Sequence, residues 1–283
     1  MPERPSGVAV RMFRDPAHQA AFERDGFLQV PFLDEPELRA LDDLWARYGD
    51  DGVRGIYSNV HDRDRATNDV IDRTITSTFA RAAEALFVDH RQAGASFLVK
   101  GAGPDSASTP HQDWANAEED RALSLSIWCP LVDVDERNGA LQVLPGTHRL
   151  RRTVRSLDTD SLYLDFDDDL EPHLVAVPCR RGEAVVYAHN LFHGSKPNTS
   201  DRARVACVSG VLPRWARSIH LRRSDTADPD EFDLLEVERD FYFSGIAAMK
   251  EGLLPDTARF VRRVRVPDHR LTADQVLTAV SAR

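Results

Sequence analysis

Apolar positions recur with a helical period in the first third of the chain and in short strand-like runs after it, and the change falls near Gly94. Leu38, Leu41, Leu44 and Trp45 recur at three and four residues behind Asp34, which predicts a capped amphipathic helix to about Tyr48. Val70, Ile71, Ile75, Phe79, Ala82, Ala83 and Leu86 predict a longer helix from about Asn68 to Phe87. A short helix behind Asp15 reaches Phe22-Glu23-Arg24 and stops at Asp25-Gly26, before the extended Phe27-Leu28-Gln29-Val30. The stretch from Asp50 to Arg65 is rich in Gly, Asp and Arg, has no period and reads as a loop.

Beyond Gly94 the runs Ser96 to Lys100, Ala122 to Val132, Ala140 to Leu144, Leu174 to Val177, Ala184 to Ala188 and Ala203 to Leu212 are bounded by Gly, Pro, Asn or Asp. That is the pattern of an all-β sandwich or barrel. The expectation is one domain, mainly β with flanking helices. It comprises a helical region over 1–93, a β core over 94–213, and a helical extension over 214–283 whose helix lies around Glu231 to Met249. Arginines alternate with apolar residues from Arg259 to Val266; they could meet an anionic substrate, but an edge strand suits them better. Arg151 to Glu171 ends in the acidic Asp165-Phe166-Asp167-Asp168-Asp169. It lacks the spacing and turn glycine of a calcium loop, and reads as a solvated insertion.

Composition narrows the class. The 283 residues are 42% hydrophobic and 29% charged, as in an ordinary globular protein. A formal charge of −10 argues against nucleic acid and against an anionic membrane as partners. No apolar run has signal-peptide or membrane-spanning length, so a cytoplasmic protein is expected. Cys129, Cys179 and Cys207 are odd in number and widely spaced, suggesting neither a disulfide framework nor a zinc cluster. Oligomeric state has no signature in the sequence.

The chemistry concentrates in Thr109-Pro110-His111-Gln112-Asp113-Trp114 and, eighty positions later, in His189-Asn190-Leu191-Phe192-His193-Gly194-Ser195. Side chains of a strand alternate faces, so His111 and Asp113 point one way and Gln112 the other. A second imidazole from a neighbouring strand would complete two His and one carboxylate on one face of an octahedral metal, the arrangement of non-haem Fe(II) oxygenases. Gly182 to Ala188 predicts a turn and strand leading to His193, and the turn-rich Lys196 to Asp201 lets the next strand double back. On that strand Arg202 and Arg204 share a face, and either guanidinium could bind a carboxylate in bidentate fashion. His189 competes with His193 as ligand, but Gly-Ser follows only His193. His148 reads as structural in its turn; His61, His90, His173 and His220 have no partner at ligand spacing and read as surface or satisfied histidines. Trp114 and Asn116 could face substrate or simply pack.

As a set, His111-Gln112-Asp113, Asn138-Gly139-Ala140-Leu141-Gln142-Val143-Leu144-Pro145-Gly146-Thr147-His148, His193-Gly194-Ser195 and Pro197-Asn198 resemble the phytanoyl-CoA dioxygenase family of Fe(II)/2-oxoglutarate oxygenases. The opening Phe22-Glu23-Arg24-Asp25-Gly26-Phe27 resembles that family too, and the resemblance spans roughly residues 20 to 213. It implies a double-stranded β-helix, or cupin-like jelly roll, which agrees with the strand pattern.

By position it implies a metal triad of His111, Asp113 and His193, and it selects Arg204, eleven residues after the distal histidine, as the anchor of the 2-oxoglutarate carboxylate. Ser195 matches a serine that helps hold that carboxylate. Trp128 matches a tryptophan at the cosubstrate, and Lys100 a lysine before the His-x-Asp. The implied activity uses Fe(II), 2-oxoglutarate and O2 to hydroxylate a C–H bond of a small molecule, taken to be a secondary-metabolite intermediate.

Asp113 stands where related iron halogenases carry a small residue, which favours hydroxylation; desaturation, cyclisation or epoxidation would use the same residues. Two readings from other classes are a non-catalytic metal-binding jelly roll, against which the presence of Arg204 counts, and a cupin using zinc or another metal without 2-oxoglutarate, which would be expected to supply further histidines. The segments expected around the substrate are Arg54 to Asp64, Trp114 to Arg121 and the C-terminal helix.

Overall fold

Three aspartates start the three N-terminal helices. Asp15 accepts a hydrogen bond from the Ala17 amide to open α1 (Pro16–Asp25). Asp34 and Glu37 form a reciprocal capping box on α2 (Glu35–Tyr48). Asp64 accepts from the Thr67 amide to open α3 (Arg65–Leu86). At the far end of α1, Gly26 takes a left-handed φ of 82°, and a Cβ there would lie 2.4 Å from Nδ1 of His148. His148 directs its Nε2 to the Glu23 carbonyl at 3.1 Å, so it braces the end of α1, in keeping with a structural role. The computed structural model describes residues 11–50, 52–61, 63–150, 154–157, 167–267 and 271–281.

The strands are β1 (Phe27–Pro31), β2 (Ile56–Ser58), β3 (His90–Lys100), β4 (Ser108–His111), β5 (Leu125–Pro130), β6 (Leu141–Val143), β7 (Val175–Val177), β8 (Glu183–Ala188), β9 (His193–Ser195), β10 (Arg204–Pro213), β11 (Ile219–Arg223), β12 (Glu231–Val237) and β13 (Ala258–Arg265). They pair antiparallel in a six-stranded sheet ordered β1-β8-β5-β10-β3-β2, a four-stranded sheet ordered β4-β9-β6-β7, and a three-stranded sheet ordered β11-β12-β13. The first two sheets make the jelly roll. One buried cluster joins Phe97, Ile127, Val185 and Ala206 of the larger sheet to Leu141, Val143 and Val177 of the smaller, and to Leu41, Ile75 and Phe79 of α2 and α3. Burial of this cluster, at roughly 25 cal/mol per Å² of apolar surface, fixes the pairing register, because a one-residue slip would turn each inward side chain to the opposite face.

Three expectations need correction. The β core is not confined to 94–213, because β1 and β2 from the supposedly helical region close the two edges of the larger sheet. An edge strand leaves unpaired amides and carbonyls, and these two segments satisfy them. The helix expected over Glu231 to Met249 is instead strand β12 followed by a π-turn at Phe241–Gly245 and a short helix at Ile246–Lys250. Phe232, Leu234, Leu235 and Val237 fit either period. The arginine-alternating segment decides, because it forms β13, an edge strand as expected, and pairs with β12 along its length.

The segment read as a solvated insertion is solvated only in part: Asp169 and Glu171 of its acidic end are exposed, but Val154 packs with Ile219, Leu221, Phe232 and Leu234 of the third sheet. Its acidic run is described only from Asp167, in a short helix at Asp167–Leu170; Asp165 and Phe166 lie outside the described residues. No helix among the described residues is long and apolar enough to cross a membrane.

Candidate active site

Strand pairing brings the two candidate histidines together. His111 and His193 are direct partners in the β4–β9 ladder, and their ring centroids lie 4.3 Å apart. Each turns Nδ1 to the main-chain carbonyl two residues earlier, His111 to Thr109 at 2.8 Å and His193 to Leu191 at 3.0 Å. A carbonyl only accepts, so Nδ1 carries the proton and Nε2 presents its lone pair. β4 ends at His111, so Asp113 does not share its strand as expected. Gln112 points away and donates to the Asn190 carbonyl at 2.6 Å, while Asp113 turns back to His193, with Oδ1 3.6 Å from Nε2. One ligand atom from each of His111, Asp113 and His193 lies within 4.8 Å of the others.

The electrostatics suit a cation at this point. Burial pushes the Asp113 carboxyl up, but the imidazoles of His193, His189 and His111 outweigh it and hold the group below its usual range. Burial pushes His193 down to about 4, so its imidazole is neutral at neutral pH. Ser126 donates to Asp113 Oδ2 at 3.3 Å. Tyr187 completes the surround: it is buried, its ring lies 4.7 Å from that of His193, and burial and the nearby Asp113 carboxylate raise its pKa well above the usual phenol value. Sequence reasoning passed over Tyr187. Its signal was a single tyrosine in the otherwise aliphatic part of Glu183–Ala188.

Arg204 opens β10 with only 5% of its surface exposed, and its guanidinium lies over the Trp128 ring at 5.0 Å. Nε and Nη1 have no hydrogen-bond partner among the described residues. Burial lowers its pKa to about 10, so it remains a cation at neutral pH. A buried, unpaired guanidinium is costly, and a bidentate carboxylate is the ligand its geometry matches. Arg202, its competitor by parity, is exposed and precedes the strand. Ser195 is buried at the end of β9, opposite Leu141 and Ser108.

Lys100 sits opposite Arg204 in the β3–β10 register. Its ammonium is occupied by main-chain carbonyls, donating to Lys196 at 2.8 Å and to Ser106. Burial, and then the neighbouring Arg204, lower it to about 7. The structure therefore places Lys100 as a pin for the loop after β9.

A cavity of about 410 Å³ opens beside the triad, lined among others by His111, Asp113, Trp114, Asn116, His189 and Tyr242. Both candidate substrate residues thus face it. Asn116 is held by the Tyr242 hydroxyl at 2.6 Å. Among the described residues of the expected 54–64 segment only Val60 lines the cavity; Ala93 to Ser96 and Val208 contribute unexpectedly. Arg239 also lines it but is committed to Asp72 at 2.7 Å.

His61 and His173 are exposed as expected. His220 and His90 are not surface or satisfied residues. Both ring nitrogens of the fully buried His220 lack a hydrogen-bond partner among the described residues, because the ring is caged by Trp114, Phe241 and Tyr242. His90 is buried against Phe87, with no hydrogen-bond partner at Nδ1 among the described residues.

Comparison with known proteins agrees with this geometry. The family model described as phytanoyl-CoA dioxygenase (PhyH) matches residues 22–206. A Danio rerio protein named phytanoyl-CoA dioxygenase domain-containing protein 1 is 32% identical over 120 residues, 38% of this chain and 40% of the relative. Phytanoyl-CoA dioxygenase 1 of Oryza sativa subsp. japonica is 28% identical over 141 residues, 47% of this chain and 50% of the relative. The matches therefore span half or less of the length of these curated relatives. Among solved structures, HygX from Streptomyces hygroscopicus, crystallised with nickel, 2-oxoglutarate and hygromycin B, superposes with a TM-score of 0.54 at 17% identity, over 76% of this chain and 94% of HygX. At that identity the likeness is one of fold.

Proposed function

The chain belongs to the phytanoyl-CoA dioxygenase family, and from that premise we propose that it is an Fe(II)- and 2-oxoglutarate-dependent oxygenase that hydroxylates a C–H bond of a small molecule. The observation that carries the reading is a buried guanidinium with unpaired N–H groups, Arg204, in the same jelly roll as a His-Asp-His cluster of metal-ligand geometry. The first needs a carboxylate and the second a cation; a chelating dicarboxylate with iron supplies both.

In this reading His111, Asp113 and His193 would hold the iron, Arg204 and Ser195 would hold the distal carboxylate of 2-oxoglutarate, and Trp128 would back the guanidinium with its ring. When bound, iron, 2-oxoglutarate and O2 supply a C–H oxidation coupled to decarboxylation of the cosubstrate to succinate. The chain's own contribution is placement. The Thr109 and Leu191 carbonyls fix the histidine tautomers, and the Asp113 carboxylate would supply a ligand that a small residue could not.

The cavity of about 410 Å³ is within the range of small-molecule sites, and Trp114 and Tyr242 offer it a rigid aromatic wall. We take the substrate to be a biosynthetic intermediate. We place the protein in the cytoplasm, a reading supported by three buried free thiols, Cys129, Cys179 and Cys207.

The test is anaerobic titration of the apoprotein with Fe(II) and 2-oxoglutarate, followed by the weak visible charge-transfer band that 2-oxoglutarate gives on chelating Fe(II). A band that saturates at one equivalent of each is expected. Bound iron without a band would refute the 2-oxoglutarate reading.

A further inference from the structure

Asp113 is the member of the triad that no sheet places. His111 and His193 face each other in a ladder, but residues 112–116 have no strand partner. A carboxylate carried on an unpaired segment would wander by more than a metal site tolerates unless something else held it.

Arg155 holds it. Its Nε donates to the Asp113 carbonyl at 2.7 Å, and its own carbonyl accepts the Ala115 amide at 3.1 Å, so the segment is clamped on both sides of Trp114. The rest of the guanidinium meets the Glu119 carboxylate, with Nη1 2.9 Å from Oε2 and Nη2 on Oε1. Both side chains are buried, at 3% and 8% exposed. The neighbouring Val154 is seated in the apolar cluster of the third sheet, and Arg262 of that sheet pairs with Glu118. The clamp is thereby anchored to a body outside the jelly roll.

A buried ion pair contributes little net stability, because desolvation offsets the attraction, and apolar residues of similar volume often replace one at no loss. Stability is therefore a poor account of this pair, and geometry a better one. We propose that Arg155 and Glu119 are positioning residues that set the Asp113 carboxylate for the metal. The proposal rests on the reading of the triad as a metal site.

The test uses the full chain and Co(II) as the probe, titrated anaerobically by its visible absorption, with melting temperature as the control for folding. The double variant Arg155→Met/Glu119→Leu removes both charges together. It is expected to melt within a few degrees of wild type and to bind Co(II) about 10-fold more weakly, the usual effect of losing a partner that orients a ligand. In an Asp113→Ala background the same double change is expected to have no further effect on Co(II), which a general loosening of the fold would not reproduce.

Wild-type Co(II) affinity in a folded double variant overturns the proposal. If the double variant does not fold, Arg155→Lys serves instead. Its ammonium cannot reach Asp113 and both Glu119 oxygens at once, so weaker Co(II) binding is expected and unchanged affinity refutes the clamp. A wild type that binds no Co(II) overturns the metal reading, and the clamp with it.

Discussion

Replacing Arg204 by methionine should move cosubstrate affinity and apoprotein stability in different directions. In the wild type the guanidinium is 5% exposed, with Nε and Nη1 unpaired among the described residues and the Trp128 ring 5.0 Å away. Bidentate binding of a carboxylate there supplies charge-assisted hydrogen bonds, of which the first is worth roughly 1.5–3 kcal/mol net. Losing about 3 kcal/mol corresponds to roughly a hundredfold rise in the 2-oxoglutarate dissociation constant.

Without cosubstrate the balance differs. The methionine side chain fills most of the same space and forfeits a cation–π contact of about 2 kcal/mol, but it also removes a desolvated, unpaired cation, at a gain of similar or larger size. The apoprotein should therefore melt at or above the wild-type temperature. The assays are calorimetric titration of the Mn(II)-loaded, oxygen-free protein with 2-oxoglutarate, and thermal melts of the metal-free protein. Unchanged 2-oxoglutarate affinity together with a melting temperature several degrees lower would refute the reasoning and make Arg204 a structural residue.

The other predictions concern stability. Burial holds His220 at about 4, below its usual 6.5, so the unfolded chain takes up a proton between those values that the folded chain excludes. Stability should be complete above about pH 6.5 and fall as pH drops toward 4, by about 3 kcal/mol at most from this group; denaturant midpoints across that window should show a shallower slope in His220→Phe than in wild type. Gly26→Ala forces a Cβ to within 2.4 Å of the His148 ring at a left-handed φ, and should cost on the order of 2 kcal/mol, read as a melting temperature roughly 4–8 °C lower. An unchanged melt would mean that the end of α1 shifts without cost.

The caps of the first two helices, the short β runs and the His111–Asp113–His193 spacing were legible in the sequence because each rests on local chemistry: an acidic side chain before a helix, a period of two, a motif. The Asp64 cap of the third helix was not read, because its helix was expected to begin only at Asn68. The choice of Arg204 over Arg202 needed family resemblance, since both share parity, and burial at the start of β10 agrees with it. Other features were invisible along the chain. The segment from Glu231 to Val237 fits either period, and only pairing with Ala258–Arg265 makes it a strand. Lys100 resembles a cosubstrate ligand by position, yet three-dimensional packing turns its ammonium onto loop carbonyls. Arg155 reaches Asp113 from forty-two residues away, Tyr187 stands beside the triad from a strand seventy-four residues past Asp113, and His220 enters an aromatic cage assembled from two separate segments. The residues that carry the chemistry are written in short patterns because they share a strand end or a turn. The residues that hold them in place depend on tertiary contacts, to which sequence separation is no guide.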